Sequence, residues 1–385
     1  MIKVLHVTGA MNRGGAEVML MDIFRNISKD VHFDFLVNHK KKSGITSGDF
    51  DEEIKSRGAQ IKYIPVQWDL GIKRYCFEFK KIIDELGTPD IVHIHLNAKS
   101  GVIAMAAKKA GVQHIIVHAH ADLKFRGSFL SRLVSTLELK FQKILIAKYG
   151  DYYWGCSQEA NLSLFYKHLL TPLHSAVINN AVDVKEFQQV SKDEVGALRL
   201  TYNLQKDTIV FGNIGRVVRH KNVLFIIEIL NEIKKANIDF VFVFAGRADD
   251  PTYLLEINNK ADSYGLKERV IYLDVRDDVP VVMSSFDVFI GPALKEGFGL
   301  VAVEAQAAGV PSVLYKGFPR SVDMGLNLVN FQDTFDLDKW VKACTSLKLK
   351  RTDLDVVGNA IIAKGFDSRT NTNTIEKMYK KIINE

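Results

Sequence analysis

Lys3-Val4-Leu5-His6-Val7-Thr8 runs straight into Gly9-Ala10-Met11-Asn12-Arg13-Gly14-Gly15-Ala16-Glu17, and an apolar-periodic stretch from Val18 to Ile27 follows. A short apolar run, a glycine-rich loop and a helical period in that order are how a parallel nucleotide-type sheet begins. The same grammar continues outward. Strands are expected at Phe33 to Val37, Gln60 to Ile64, Ile91 to His95 and His114 to Val117, separated by helices at Glu52 to Arg57, Phe77 to Leu86 and Ile103 to Ala110. After the polar segment Asp183 to Gln205 the alternation starts again. Its strands are Thr208 to Ile214, Asp239 to Ala245, Val270 to Leu273, Val288 to Ile290 and Ser312 to Leu314, and its helices Val223 to Ala236, Thr252 to Tyr264 and Leu300 to Ala308. Two consecutive series predict an α/β chain of two Rossmann-like, doubly wound parallel-sheet domains. The expected divisions are 1–190, 191–368 and a final amphipathic helix within 369–385. Ligands of such sheets sit beyond the carboxyl ends of the strands, so a cleft with the domains facing each other is the expected site.

Composition bounds the function. The 385 residues, 47% hydrophobic and 25% charged, suit a globular protein with two cores. A net charge of +6 is compatible with phosphate-bearing ligands or an anionic surface and too mild for nucleic acid, for which no basic block or zinc spacing argues either. Cys76, Cys156 and Cys344 form neither a C-x-x-C pair nor an even set, which points to a reducing compartment. No signal-peptide core opens the chain and no apolar run reaches a membrane-spanning length. A cytoplasmic protein is expected, with peripheral contact at the inner face of a membrane left open.

Four constellations carry chemistry. In Lys295-Glu296-Gly297-Phe298-Gly299-Leu300-Val301-Ala302-Val303-Glu304 a strand end, two glycines and a helix start coincide. Backbone N–H groups there suit an oxyanion, so a diphosphate is expected on Gly299, Leu300 and Val301, with Glu296 before it and Glu304 towards ribose hydroxyls. The plainer reading is a capped turn with two solvated acids. In Gly215-Arg216-Val217-Val218-Arg219-His220-Lys221, Arg216 and Lys221 can neutralise a leaving diphosphate and replace a metal ion, or the whole segment is a solvated basic turn. The Gly14-Gly15 loop lacks complete G-x-G-x-x-G spacing, which disfavours a dinucleotide cofactor. Finally, strand alternation puts His118 and His120, ahead of Asp122, on one face. No metal-ligand set is assembled around them in the sequence. His93 and His95 end the preceding strand and are read as structural. A further segment, 123–148, mixes Phe125, Phe129, Leu130, Leu133 and Phe141 with Lys124, Arg126, Arg132, Lys140, Lys143 and Lys148. It suits contact with an anionic bilayer, or an ordinary helix with its apolar side in the core.

Taken together these segments resemble the retaining glycosyltransferases of family 4, which share the GT-B fold, over nearly the whole chain. The marks are Gly14-Gly15-Ala16-Glu17, Cys156-Ser157-Gln158-Glu159-Ala160, Asn179-Asn180-Ala181-Val182-Asp183 with Phe187, Gly215-Arg216 with Lys221, and Ala245-Gly246. The most specific is Glu296 and Glu304 with seven residues between them, followed by Ala305 to Pro311. The resemblance implies sugar transfer from a nucleotide diphosphate, UDP favoured, to a hydroxyl of a glycan or lipid-linked acceptor, with retention and without a cofactor or bound metal. It implies Arg216 and Lys221 on the diphosphate, Gly14 and Gly15 approaching it, and Gly297, Phe298, Gly299, Leu300 and Val301 around it. It also implies Glu296 on the donor sugar, Glu304 on the ribose, and His120 first or His118 second against the sugar. Bacterial capsular, exopolysaccharide and lipopolysaccharide enzymes are the most similar subgroup, and the C-terminal helix is expected back on the first domain. Ala293 replaces a common serine, Asp274 a common glycine, and Tyr315 to Pro319 depart from the commoner acidic pattern. Two rival classes are a sugar-nucleotide epimerase of the same fold and a catalytically silent binding subunit. The glutamate spacing argues against the first, and the complete set Arg216, Lys221, Glu296 and Glu304 against the second.

Overall fold

The computed structural model describes residues 1–12, 14–40, 47–121, 123, 128–202, 208–346 and 352–385, except the side chain of Phe129. The chain divides into two units, Met1–Ala181 with Ser368–Glu385, and Val182–Asp367. The crossing falls ahead of residue 190 because Val184 and Phe187, at the start of the polar segment, are buried in the core of the second unit. Both crossing strands are pinned within that unit, where Val182 N donates to Phe366 O (2.9 Å).

In the first unit, β1 (Ile2–Thr8), β2 (Val31–His39), β3 (Ile61–Pro65), β4 (Ile91–Ile94), β5 (His114–Ala119), β6 (Tyr152–Gly155) and β7 (Ser175–Val177) form one sheet in the order β3-β2-β1-β4-β5-β6-β7. Every pairing is parallel. Both faces are covered, so β4 is buried throughout and β1 from Val4 onward, as parallel sheets require. One face packs helices Ile72–Leu86 and Ser100–Lys109, the latter so close to helix Phe129–Tyr149 that a Cβ on Gly101 would strike the Gln142 carbonyl. The other face packs helix Gly15–Asn26 and the returning helix Ser368–Asn384 through Ile375, Tyr379 and Ile382.

The second unit is smaller: β8 (Ile209–Ile214), β9 (Phe240–Ala245), β10 (Val270–Tyr272), β11 (Val288–Gly291), β12 (Ser312–Tyr315) and β13 (Val329–Gln332) in the order β10-β9-β8-β11-β12-β13. Both sheets reverse their winding beside their first strand, β1 against β4 and β8 against β11. That reversal opens a crevice at the strand carboxyl ends. Three strands, β6, β7 and β13, were not expected from periodicity. Each is short and lacks the aliphatic run that marks equally short strands such as β4 and β11, and they pair in the outer half of their sheets.

Candidate active site

In the second unit the loop after β11 leads to helix Leu300–Ala307, whose N-cap is Gly299 at φ 84°. That left-handed angle and the Phe318 ring, 2.5 Å from where a Cβ would stand, both demand glycine. The first-turn N–H groups of Leu300 and Val301 have no carbonyl of their own helix to bond, so the turn is an anion cradle by construction. Glu296 N donates to Gly317 O (3.0 Å) and Leu294 N to His220 O (2.8 Å). The second bond stitches this loop to the one after β8. It brings Lys221 to Glu296, 75 positions away: Lys221 Nζ donates to Glu296 Oε1, with side chains only 17% and 11% exposed.

The neighbouring cations differ. Arg219 is bound at both ends of its fork by Glu256 (2.6 and 2.9 Å), lies 3.5 Å from Asp250 and stacks over Tyr253. For that residue the structural surface reading holds. Arg216 is 55% exposed and touches Asp249 through one nitrogen at 3.2 Å, leaving guanidinium N–H groups available among the described residues. Burial raises the Glu304 carboxyl to about 7, with Lys221 pulling it down and Glu186 pushing it up. His220 is lowered, chiefly by burial and by Lys221. Asp274 takes φ 54°, and its carbonyl accepts from Gly246 N (2.8 Å), so the turn forms without a glycine at this position.

In the first unit, Gly14 is the N-cap of helix Gly15–Asn26, and nothing lies within 4 Å of where a Cβ on Gly15 would stand. The Glu17 carboxyl, raised by burial, folds back against Gly14. His118 and His120 do share a face, their rings stacked at 4.3 Å. The two are not equivalent. His118 is fully buried, with Nδ1 3.2 Å from His93 Nε2; His120 at the strand end is half-buried. Asn97 Oδ1 accepts from His120 N (2.7 Å) and fixes that end. His95 Nδ1 lies 2.8 Å from His120 Nε2, and His6 Nδ1 2.9 Å from His95 Nε2. Asp122, Lys124, Phe125 and Arg126 lie outside the described residues.

A family model described as Glycosyl transferases group 1 matches residues 197–360, most of the second unit. The Bacillus subtilis (strain 168) glycosyltransferase EpsF is 28% identical over 98% of this chain and 96% of its own length. The chain is a glycosyltransferase, and the group 1 match lies in its second unit. Staphylococcus aureus CapH, a capsular polysaccharide biosynthesis glycosyltransferase, is 26% identical over 79% of each chain. An Escherichia coli UDP-Gal:alpha-D-GlcNAc-diphosphoundecaprenol alpha-1,3-galactosyltransferase is 31% identical over 58% of this chain and 57% of its own. Among solved structures, Anabaena Alr3699/HepE in complex with UDP superposes with a TM-score of 0.77 over 99% of this chain and 100% of its own, at 20% identity. The glycosyltransferase thus has the GT-B fold of two Rossmann-like units.

Sequence reading missed several parts of this site. His6, Asn97, Asp249 and Glu186 each act through a partner at least 23 positions away. Such partners leave no local signal. His95 reads as structural in the sequence, and its Nδ1 is the side-chain hydrogen-bond partner of the His120 ring.

Proposed function

We propose that the enzyme transfers a sugar from a UDP-sugar to a hydroxyl of a glycan or lipid-linked acceptor, with retention and without a resident metal, in bacterial surface polysaccharide or glycolipid synthesis. The observation that carries this reading is the Lys221–Glu296 pair beside the Gly299 helix start. A half-buried ammonium and a set of helix N–H groups at one strand edge are what a departing diphosphate needs as negative charge builds on it. Arg216 adds a second cation with N–H groups to spare. These groups supply the charge neutralisation that a metal supplies elsewhere.

In this reading the diphosphate draws Lys221 from Glu296, and Glu296 turns to the sugar hydroxyls. Gly297 and Phe298 shape the loop that closes on the sugar. Glu304, held about 7, both donates to and accepts from ribose hydroxyls near neutral pH. Retention places the departing phosphate and attacking hydroxyl on one face of the sugar, so a phosphate oxygen can take the hydroxyl proton. Gly14, Gly15 and His120 are the proposed ligand contacts of the first unit, with His118 behind His120. Support for the donor and acceptor classes comes from the names of the relatives. Thermal denaturation with UDP, GDP and ADP tests the nucleotide: UDP is expected to raise the melting temperature most, and no shift with any of them would refute the reading.

The lipid-linked acceptor has a specific observation behind it. Helix Phe129–Tyr149 turns Leu139, Gln142, Leu145 and Ile146 inward and leaves Leu130, Leu133, Val134, Leu137, Phe141 and Ile144 exposed along one stripe. An apolar side confined to the core is therefore corrected: six large apolar residues face out, beside the exposed Arg132, Lys140 and Lys148. No helix among the described residues is long and apolar enough to cross a membrane. We propose that the stripe lies on an anionic bilayer at its cytoplasmic face, apolar side chains inserted and cations at the phosphates. Co-sedimentation with anionic but not neutral liposomes, lost in Leu137→Glu/Phe141→Glu, is the expected result.

A further inference from the structure

Five imidazoles occupy one face of β1, β4 and β5: His6, His93, His95, His118 and His120, all pushed below the ordinary histidine range chiefly by burial. They divide into two chains. One runs from Tyr379 Oη to His93 (2.7 Å) and on to His118. The other runs His6 Nδ1 to His95 Nε2 at 2.9 Å, then His95 Nδ1 to His120 Nε2 at 2.8 Å. Both free ends of the second chain, His6 Nε2 and His120 Nδ1, are buried without a partner among the described residues.

Two interpretations compete. Nitrogens of His6, His93 and His95, and of His95, His118 and His120, lie within 4.8 Å of one another, as a metal site requires. Nitrogens sharing one tetrahedral zinc, at about 2.0–2.1 Å each, stand about 3.3 Å apart. The two links of the second chain are 2.8 and 2.9 Å, the spacing of N–H···N hydrogen bonds. The geometry is that of an imidazole chain.

A neutral imidazole has one N–H and one lone pair, so three imidazoles share three protons. Two serve the links, and the third must sit at one end. At His6 Nε2 it would be a buried donor on a ring packed against Phe33 and Phe35, which offer no lone pair. At His120 Nδ1 it is at the strand end, on the one half-buried ring of the five. An N–H at either end would be buried without a partner among the described residues, and only the His120 end lies where a ligand oxygen can accept it, so the chain places its bare lone pair at His6. We propose that His6 and His95 are positioning residues that hold His120 as the neutral Nδ1–H tautomer, so that it donates a hydrogen bond to an oxygen of the bound sugar nucleotide or acceptor. The order is His6 Nδ1–H to His95 Nε2, His95 Nδ1–H to His120 Nε2, and His120 Nδ1–H outward. No net charge enters the sheet in this arrangement. The ligand half of the assignment rests on His120 being a ligand contact; the tautomer does not.

Long-range proton–nitrogen correlation on the full chain labelled with 15N-histidine reads the tautomers directly. The expected result is a proton on Nδ1 and a bare Nε2 for His120, and the same for His95. A proton on His120 Nε2 would overturn the proposal, as would stoichiometric zinc uptake that requires His95. His95→Leu is expected to release His120 to the other tautomer and raise the donor KM about tenfold with a smaller fall in kcat, the size of one net hydrogen bond. His95→Asn, whose amide nitrogen stands near the place of Nδ1, is expected to keep the tautomer and recover most of the KM. Equal losses in both variants would mean packing alone. If His120→Ala turns over normally while the wild-type tautomers are as stated, the ligand contact fails and the chain assignment stands.

Discussion

The two units wind their sheets alike and fill them differently. In the first, the face of β1, β4 and β5 carries five imidazoles with Trp154 and Tyr379 packed against His93. In the second, the corresponding layer is hydrocarbon: Phe211, Phe240, Phe242 and Phe244 are fully buried, and the Phe242 and Phe244 rings stack at 5.3 Å. Phenyl rings need no partners, so the second unit keeps its polar chemistry at the rim, in Arg216, Lys221, Glu296 and Glu304. The imidazoles must satisfy one another, and the first unit therefore brings hydrogen-bonding groups from its core to a strand end. A core that is polar in this way is costly to disturb, and the cost depends on pH.

Acid should separate the two units most. Below about 6.5 the unfolded chain takes up protons that the folded histidines refuse, since His6 is held down to about 3 and His120 to about 4. Stability is thus complete above that range and falls as pH drops towards those folded values. At pH 5 His6 and His120 cost about 2 kcal/mol each, a large share of the 5–15 kcal/mol that holds a domain folded, and His93, His95 and His118 act in the same direction. Hydrogen exchange read by unit should show β1, β4 and β5 opening near pH 5 while β8, β9 and β11 stay protected. Equal protection at that pH would break the comparison.

Transplanting the chemistry tests it from the other side. Phe242→His puts an imidazole among phenyl rings with no partner, and should destabilise the second unit by about 4 kcal/mol, measured by denaturant unfolding at pH 7.5. Stripping the rim should weigh on activity instead. Lys221→Ala is expected to lower kcat about a hundred- to thousandfold, about 3–4 kcal/mol of barrier, with a smaller loss of stability from the Glu296 carboxylate left without its partner. Near-normal turnover would remove Lys221 from the diphosphate. The smallest effect is expected from His6→Phe, which makes one rung of the first sheet resemble the second. It leaves only a bare lone pair on His95, so stability at pH 7.5 should move by no more than about 1 kcal/mol, and the acid limb should become shallower by one histidine.

Much of the fold was legible because parallel strands buried on both faces are written as apolar runs, and helices as a 3.6 period. The strands that escaped, Tyr152–Gly155, Ser175–Val177 and Val329–Gln332, are short and carry no aliphatic run, unlike the equally short Ile91–Ile94. Within the site, Gly299 and the helix behind it, Lys221, and the pair Glu296 and Glu304 could be named from local pattern, because a strand end, a glycine and a helix start are consecutive in the chain. That Arg219 is committed to Glu256 and Asp250, while Arg216 keeps N–H groups to spare, is decided by the helix Pro251–Ser263 that packs beside them. Sequence also placed His118 and His120 on one face by simple alternation.

Which of those two histidines is reachable depended on neighbours far along the chain. His95 and His6 reach His120 only because β4 and β1 pair beside β5 in parallel register, with His6 opposite His93. The returning C-terminal helix brings Tyr379 to His93 over 286 positions. By itself, then, the sequence determined the repeated βα winding and the residue types at each strand end, because these depend on periodicity and on what a turn allows. Only the tertiary structure decided the pairing of those residues and their degree of burial, since a hydrogen bond across a sheet depends on strand order, which no local pattern encodes.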